Sequence, residues 1–196
     1  MNKNFEKKIF TAKIFIKDIG FLISKTPQIA SAIRNKEISM VFIEKIMTVV
    51  TAVNGCTYCT WYHAKKAVES GISDDEIKNM LNLQFQAKAS DFELMALLYA
   101  QHYAETNRKP DGEMTAKLFH YYGDKTANQV ILVIRMIFFG NLLGNTWDAV
   151  LSRLKGNPAK NSNVLFEFIF FLLTFYIMIP AMFLSKEYRN TLSNAA

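Results

Sequence analysis

Apolar residues recur at three- and four-residue steps along almost the whole chain. From Phe5 to Ser24 the residues Phe5, Ile9, Ala12, Ile16, Ile19 and Ile23 share one stripe, with Lys7, Lys8, Lys13 and Lys17 between them. That spacing predicts a basic amphipathic helix. Thr26-Pro27 interrupts it, a second apolar run covers Ile38 to Val53, and Asn54-Gly55 ends that run as a turn or helix-end signal. The next helix is expected to start at Cys56 and to pass through Trp61, Tyr62 and Val68 to Gly71, a C′ residue. Ser73-Asp74-Asp75-Glu76 and Ser90-Asp91-Phe92-Glu93 both carry the capping-box pattern. The second opens a helix through Leu94, Leu97, Leu98 and Gln101 toward Asn107.

Lys109-Pro110-Asp111-Gly112 is a loop, followed by a short helix to Tyr122-Gly123 and a long apolar one from Thr126 to about Leu154. No strand pattern appears, and 8 glycines and 4 prolines are too few for a turn-rich sandwich or barrel. The fold class is therefore all-α. Lys155-Gly156-Asn157-Pro158 is a second break, and Val164 to Leu184 then contains Glu167 as its only charge. Three segments result: a basic N-terminal helix over 1–27, a central domain over 28–156 and an apolar helix within 157–196.

The apolar tail is near the length needed to cross a hydrocarbon core, with Arg153, Lys155 and Lys160 before it and Lys186 and Arg189 after it. Glu167, Thr174, Tyr176 and Pro180 speak for burial between subunits instead. Both readings stand at this level: a membrane contact, with Glu167 snorkelling near the helix end and the N-terminal helix as a second contact, or an oligomer-buried helix.

The chain carries 23 Lys+Arg against 17 Asp+Glu, a net charge of +6, and 51% of it is hydrophobic. That is enough for one domain with a sizeable core. Residues 1–25 hold six of the lysines against Glu6 and Asp18, so the basicity is mostly N-terminal and no nucleic-acid partner is expected. Lys13, Lys17 and Asp18 interrupt the apolar stretch that a secretory signal would need. Two cysteines cannot make a secreted disulfide framework, so a reducing, cytoplasmic location is expected, with attachment to the inner face of the membrane as the variant the tail allows.

The chemistry concentrates in Cys56-Thr57-Tyr58-Cys59 and the residues around it. On a helix, Cys56, Cys59 and His63 point to one face, where an imidazole can reach a thiol. Asn54-Gly55 puts Cys56 at the helix start, where free N–H groups and the dipole favour a thiolate. An ordinary thiol is only roughly 3% ionised at pH 7. A helix terminus alone does not make up the difference, so a relay of His63 with Glu44 is the candidate for the rest. Once one thiolate has become a sulfenic acid, a second cysteine at this spacing can condense with it and prevent over-oxidation.

Glu44, eleven intervening residues, then Cys56, Cys59 and His63 resemble the motif of the AhpD-like alkylhydroperoxidase family in the carboxymuconolactone decarboxylase superfamily. The resemblance covers roughly residues 30 to 155. It implies an AhpD-like helical fold and a peroxidase that reduces organic hydroperoxides through a Cys56–Cys59 disulfide. It further implies Cys59 as the peroxidatic thiol, Cys56 as the resolving one, and His63 with Glu44 as the proton relay. The helix-terminus argument favours Cys56 as the more acidic thiol, so the order of the two cysteines stays open here. Tyr58 stands where some members have a second histidine, and a phenol is a poorer proton carrier at neutral pH. The resemblance also implies a homo-oligomer and reduction by a lipoyl or thioredoxin-like dithiol. No flavin, haem or nucleotide is suggested, since the chain has no Gly-rich phosphate loop or haem-attachment pattern.

Other readings of the same residues are zinc bound by Cys56, Cys59, His63 and Glu44, a redox sensor without turnover, or two unreactive core cysteines. An offset of 85 residues sets Gln129, Gly140, Asn141, Gly144 and Asp148 against Glu44, Gly55, Cys56, Cys59 and His63, which suggests duplicated helix pairs with one dithiol. His102 and His120 have no neighbouring carboxylate or thiol pattern and read as ordinary helical residues. Trp61, Tyr62, Tyr99, Tyr103, Tyr121 and Tyr122, together with Phe138, Phe139 and Trp147, fall at helical spacings and read as core or pocket wall.

Overall fold

The structure, a computed structural model, describes residues 5–35, 38–160 and 162–194; Arg189 lies outside the described side chains. Among the described residues the chain forms eight α-helices and no strand: α1 (Ala12–Ser24), α2 (Thr26–Asn35), α3 (Met40–Asn54), α4 (Thr57–Glu69), α5 (Asp74–Leu81), α6 (Asp91–Glu105), α7 (Gly112–Leu154) and α8 (Val164–Asn194). The expected all-α class is borne out.

Most boundaries sit where capping chemistry places them. Ser39 accepts from the Phe42 N–H at 3.1 Å to start α3, and Ser73 accepts from the Glu76 N–H at 3.3 Å to start α5. At α6 the Glu93 carboxylate reaches back to the Ser90 N–H at 3.4 Å. Gly71, with φ +88°, lets the Ile72 N–H close on the Ala67 carbonyl at 3.0 Å after α4. Gly123, at φ 70° and ψ 168°, breaks α7 into the short and long helices that the pattern predicts.

The central element is α3, which packs against α4, α5, α6 and α7. Phe42, Ile46, Val49 and Val50 are buried along it. Lys45 is buried too, and its ammonium bridges Glu76 at 2.7 Å and Glu93 at 2.9 Å, tying α3 to α5 and α6. Burial pulls its pKa down, but the two carboxylates outweigh that and hold it above the ordinary lysine value.

The N-terminal segment differs from its pattern. The expected helix over Phe5–Ser24 starts only at Ala12, capped by Thr11, and residues 5–11 form an irregular strap along the core. Tertiary partners outweigh helix propensity there. Phe10 is 1% exposed among Phe15, Phe139 and Phe170, and its N–H donates to Thr146 Oγ1 at 2.9 Å. Lys8 donates to the Ala104 carbonyl at 2.5 Å and to Asn54 Oδ1 at 3.2 Å. Burial pushes the Lys8 ammonium below its usual pKa.

Two helices, α7 and α8, are long and apolar enough to cross a membrane. In α7 that stretch is 67% buried within the fold, so the helix serves as core. The α8 stretch is only 22% buried. One face of α8, with Glu167, Phe170, Thr174 and Met178, is buried against the fold, and Phe171 stacks on Trp147 at 5.1 Å. Glu167 does not snorkel outward; it is 3% exposed and paired with Arg153. The polar residues Glu167 and Thr174 thus mark the protein-facing side, and Leu165, Phe168, Leu172, Tyr176 and Phe183 are exposed on the other.

Candidate redox-active site

The site begins at the break between α3 and α4. Gly55 takes φ +64°, a left-handed conformation that costs glycine little, and its N–H closes α3 on the Thr51 carbonyl at 2.9 Å. The chain then turns directly into α4 with Cys56 as N-cap, where the Cys59 N–H donates to Cys56 Sγ at 3.3 Å. The sequence placed Cys56 at this terminus for the same reason: the first N–H groups of a helix lack internal partners.

Cys56 and Cys59 are joined in a disulfide with Cα atoms 5.3 Å apart. Their environments differ. Cys56 is fully buried, whereas Cys59 is partly exposed. Gly144 of α7 makes that burial feasible, since a Cβ there would stand 2.6 Å from Cys56 Sγ and 3.0 Å from Tyr58 Cδ2.

His63 follows Cys59 by about one turn of α4. Its Nδ1 lies 2.8 Å from Glu44 Oε2 on α3, and both residues are buried. With Nδ1 held, Nε2 is the ring nitrogen left for proton exchange. Both side chains line a cavity of about 230 Å³ whose other walls are apolar, among them Ile43, Met47, Val133 and Met136. Tyr62, on the same helix, packs edge-on to the His63 ring at 5.1 Å and lines the cavity too.

Tyr58 points the other way. Its hydroxyl donates to Asp148 Oδ1 at 2.7 Å, and Asp148 Oδ2 accepts from Lys7 Nζ of the strap at 2.7 Å. Lys7 also donates to Thr57 Oγ1 at 3.3 Å. The two residues between the cysteines are therefore held by Asp148 of α7 and Lys7 of the strap.

Several site residues escaped the sequence reading. Asn54 Nδ2 donates to Asn141 Oδ1 at 3.1 Å, Asn141 Nδ2 donates to Thr51 Oγ1 at 3.0 Å, and Asn145 Nδ2 donates to the Asn54 carbonyl at 2.9 Å. These buried amides of α7 brace the break at Gly55. A signal was present in Gly140-Asn141 and Gly144-Asn145, polar and small residues four apart inside an apolar helix. The suggested duplicated helix pair is corrected here: Gly140 lies within the continuous stretch of α7 after Gly123, and no second break mirrors Gly55. Asn141, Gly144 and Asp148 contact the dithiol site rather than copy it.

His102 is not isolated either, since its Nε2 lies 2.9 Å from Asp111 Oδ2 across the α6–α7 loop. Among the described residues no group of three or more His, Cys, Asp or Glu side chains is placed to hold a metal ion. In this structure the two sulfurs are bonded to each other and Nδ1 of His63 to Glu44.

The fold is all-α, with a Cys-x-x-Cys pair at a helix start and a buried Glu–His pair beside it. Residues 28–102 match the model of the carboxymuconolactone decarboxylase family, which includes AhpD-like proteins. The match runs from α2 into α6 and contains Glu44, Cys56, Tyr58, Cys59 and His63, so the resemblance carried by those residues is borne out at the level of the family. No curated protein and no solved structure matches the chain.

Proposed function

We propose that the protein is a thiol peroxidase that reduces organic hydroperoxides through a Cys56–Cys59 dithiol–disulfide cycle. The observation that carries this reading is the difference between the two sulfurs, one buried and one partly exposed, with the His63–Glu44 pair a turn further along α4. The family match over residues 28–102 supports an enzymatic role.

In the reduced protein the Cys59 thiolate attacks the outer oxygen of the hydroperoxide. The O–O bond breaks, Cys59 becomes a sulfenic acid and the alkoxide leaves as an alcohol after taking a proton through His63. Glu44, bonded to Nδ1, orients the ring and stabilises its protonated form. The Cys56 thiol then attacks the sulfenic sulfur, water leaves and the disulfide forms. A lipoyl or thioredoxin-like dithiol returns two electrons and two protons. Access favours Cys59 as the attacking sulfur, because a peroxide cannot reach a fully buried Cys56 without opening the fold. Tyr58, held by Asp148, is a positioning residue in this scheme.

The test is a thiol count with disulfide mapping on the reduced protein before and after one equivalent of an organic hydroperoxide, then turnover with a dithiol reductant. Loss of two thiols into Cys56–Cys59, catalytic turnover and its abolition in Cys59→Ser are expected. Full activity in Cys59→Ser would remove the role of that sulfur. Stoichiometric oxidation without turnover would favour a redox sensor over an enzyme.

A further inference from the structure

A second cavity, of about 470 Å³, lies between α1, the α6–α7 loop and α7, with Phe138 in its wall. Its walls carry Lys13, Lys17, Arg108, Lys109 and Arg135 against a single carboxylate, Asp18. That carboxylate is taken by Arg108 at 2.6 Å. Lys13, Lys17, Lys109 and Arg135 have no carboxylate partner among the described residues.

Arg135 is the informative member. It is partly buried, and its guanidinium carbon sits 3.1 Å from the centre of the Phe21 ring. A guanidinium lying on an aromatic face keeps its N–H edge free to grip a phosphate or carboxylate. A half-buried cation without a counter-ion is costly unless an anion joins it. Arg108 lies over the Phe138 ring at a greater distance, 5.2 Å.

The cavity is not simply an anion cup. Ile14, Phe21, Leu22, Phe138 and Phe139 also line it, so apolar surface lies directly beneath the cations. Lys13 lines this cavity and also a neighbouring groove formed with Leu165, Phe166 and Ile169 of α8. That groove leads onto the exposed apolar face of α8. Cationic rim, apolar floor and an adjoining apolar helix match the two halves of one molecule type.

We propose that this cavity binds the anionic headgroup of an amphiphilic lipid, whose acyl part lies over the Lys13 groove and the outer face of α8. The site is separate from the dithiol and does not depend on the peroxidase reading. It joins the N-terminal helix and α8 in one interfacial surface: Lys13 and Lys17 of α1, with Arg135 of α7, supply the charge recognition and α8 the apolar contact.

The full chain is tested by co-sedimentation with vesicles of phosphatidylcholine alone and with one quarter phosphatidylglycerol. Binding is expected only with the anionic vesicles. Lys13→Gln with Lys17→Gln, both exposed, is expected to weaken it on the order of tenfold or more. Arg135→Gln should weaken it as well, with helical content unchanged by circular dichroism. Removing equal charge elsewhere, by Lys78→Gln with Lys88→Gln, should leave binding near the starting level. A monomeric short-chain phosphatidate should compete, and inorganic phosphate should not. The proposal is overturned by equal binding to neutral vesicles, by equal losses in both double variants, or by competition from phosphate alone. A stable oligomer that hides α8 and ignores all vesicles overturns it too.

Discussion

The stretch Glu44–His63 and the stretch Gln129–Asp148 are comparable in length and both cross the centre of the fold, yet one is broken and the other is not. At Gly55 the chain leaves α3 through a left-handed residue and re-enters a helix at a cysteine. At Gly140 the helix continues. The broken stretch acquires what a continuous helix cannot have, a residue at a helix start whose side chain meets unpaired N–H groups. The unbroken stretch gives up reactivity and supplies support: Asn141 and Asn145 hold the end of α3, Gly144 admits the Cys56 sulfur, and Asp148 holds Tyr58. Reactive and bracing roles are thus divided between a helix break and a rigid rod laid against it.

The largest expected effect falls on the broken side. Glu44→Gln keeps a hydrogen bond to His63 but removes the charge behind it, and hydroperoxide reduction by the reduced protein should fall about 10²-fold. Its far-UV circular dichroism should stay the same. An unchanged rate would show that the Glu44–His63 pair is structural only.

On the bracing side, Gly144→Ala inserts a methyl group 2.6 Å from Cys56 Sγ. Overpacking of this kind costs about 1–3 kcal/mol. Urea unfolding of the reduced protein reads that loss, and disulfide formation should slow with it. Stability and disulfide rate both equal to the parent would mean that Cys56 does not rest against α7.

The sharpest test of the comparison is also the smallest in size. Gly55→Ala should destabilise by about 1–2 kcal/mol, the cost of a left-handed residue with a side chain. Gly140→Ala should stabilise by about 0.5–1 kcal/mol, because a helical glycine with nothing within 4 Å of an added Cβ gains from helix propensity. Opposite signs for the same substitution in thermal unfolding are the expected result; equal signs would mean that both stretches share one backbone geometry.

Local signals were legible in the sequence wherever the physics is local. Ser39, Ser73 and Asp111 start helices by accepting from N–H groups a few residues on, Ser90 starts one by pairing with the Glu93 carboxylate, and Gly55, Gly71 and Gly123 stop or break them through positive φ. Glu44 and His63 meet because α3 and α4 form an antiparallel pair closed by Gly55 and Cys56, which the short Asn54-Gly55 turn already implies. What was not legible depends on distant partners. Residues 5–11 follow a helical stripe, but Phe10 finds Thr146 and Lys7 finds Asp148, contacts that no periodicity encodes. The amide network around Asn54 is hidden for the same reason, since its partners are about 90 positions away in the chain. Glu167 misled because a charge in an apolar run says nothing about which side of the helix it occupies.

The contact between Lys7 and Asp148 spans 141 positions, and that separation has a consequence for how the protein is made. The two cysteines leave the ribosome well before Gly144 and Asp148 are synthesised. At typical elongation rates the gap is on the order of 5–20 s. Throughout it both sulfurs stand open to any oxidant or foreign thiol, because the wall that buries one of them does not yet exist. The difference in burial between Cys56 and Cys59 is therefore acquired late, and the nascent chain passes through a stage in which both thiols are equally accessible.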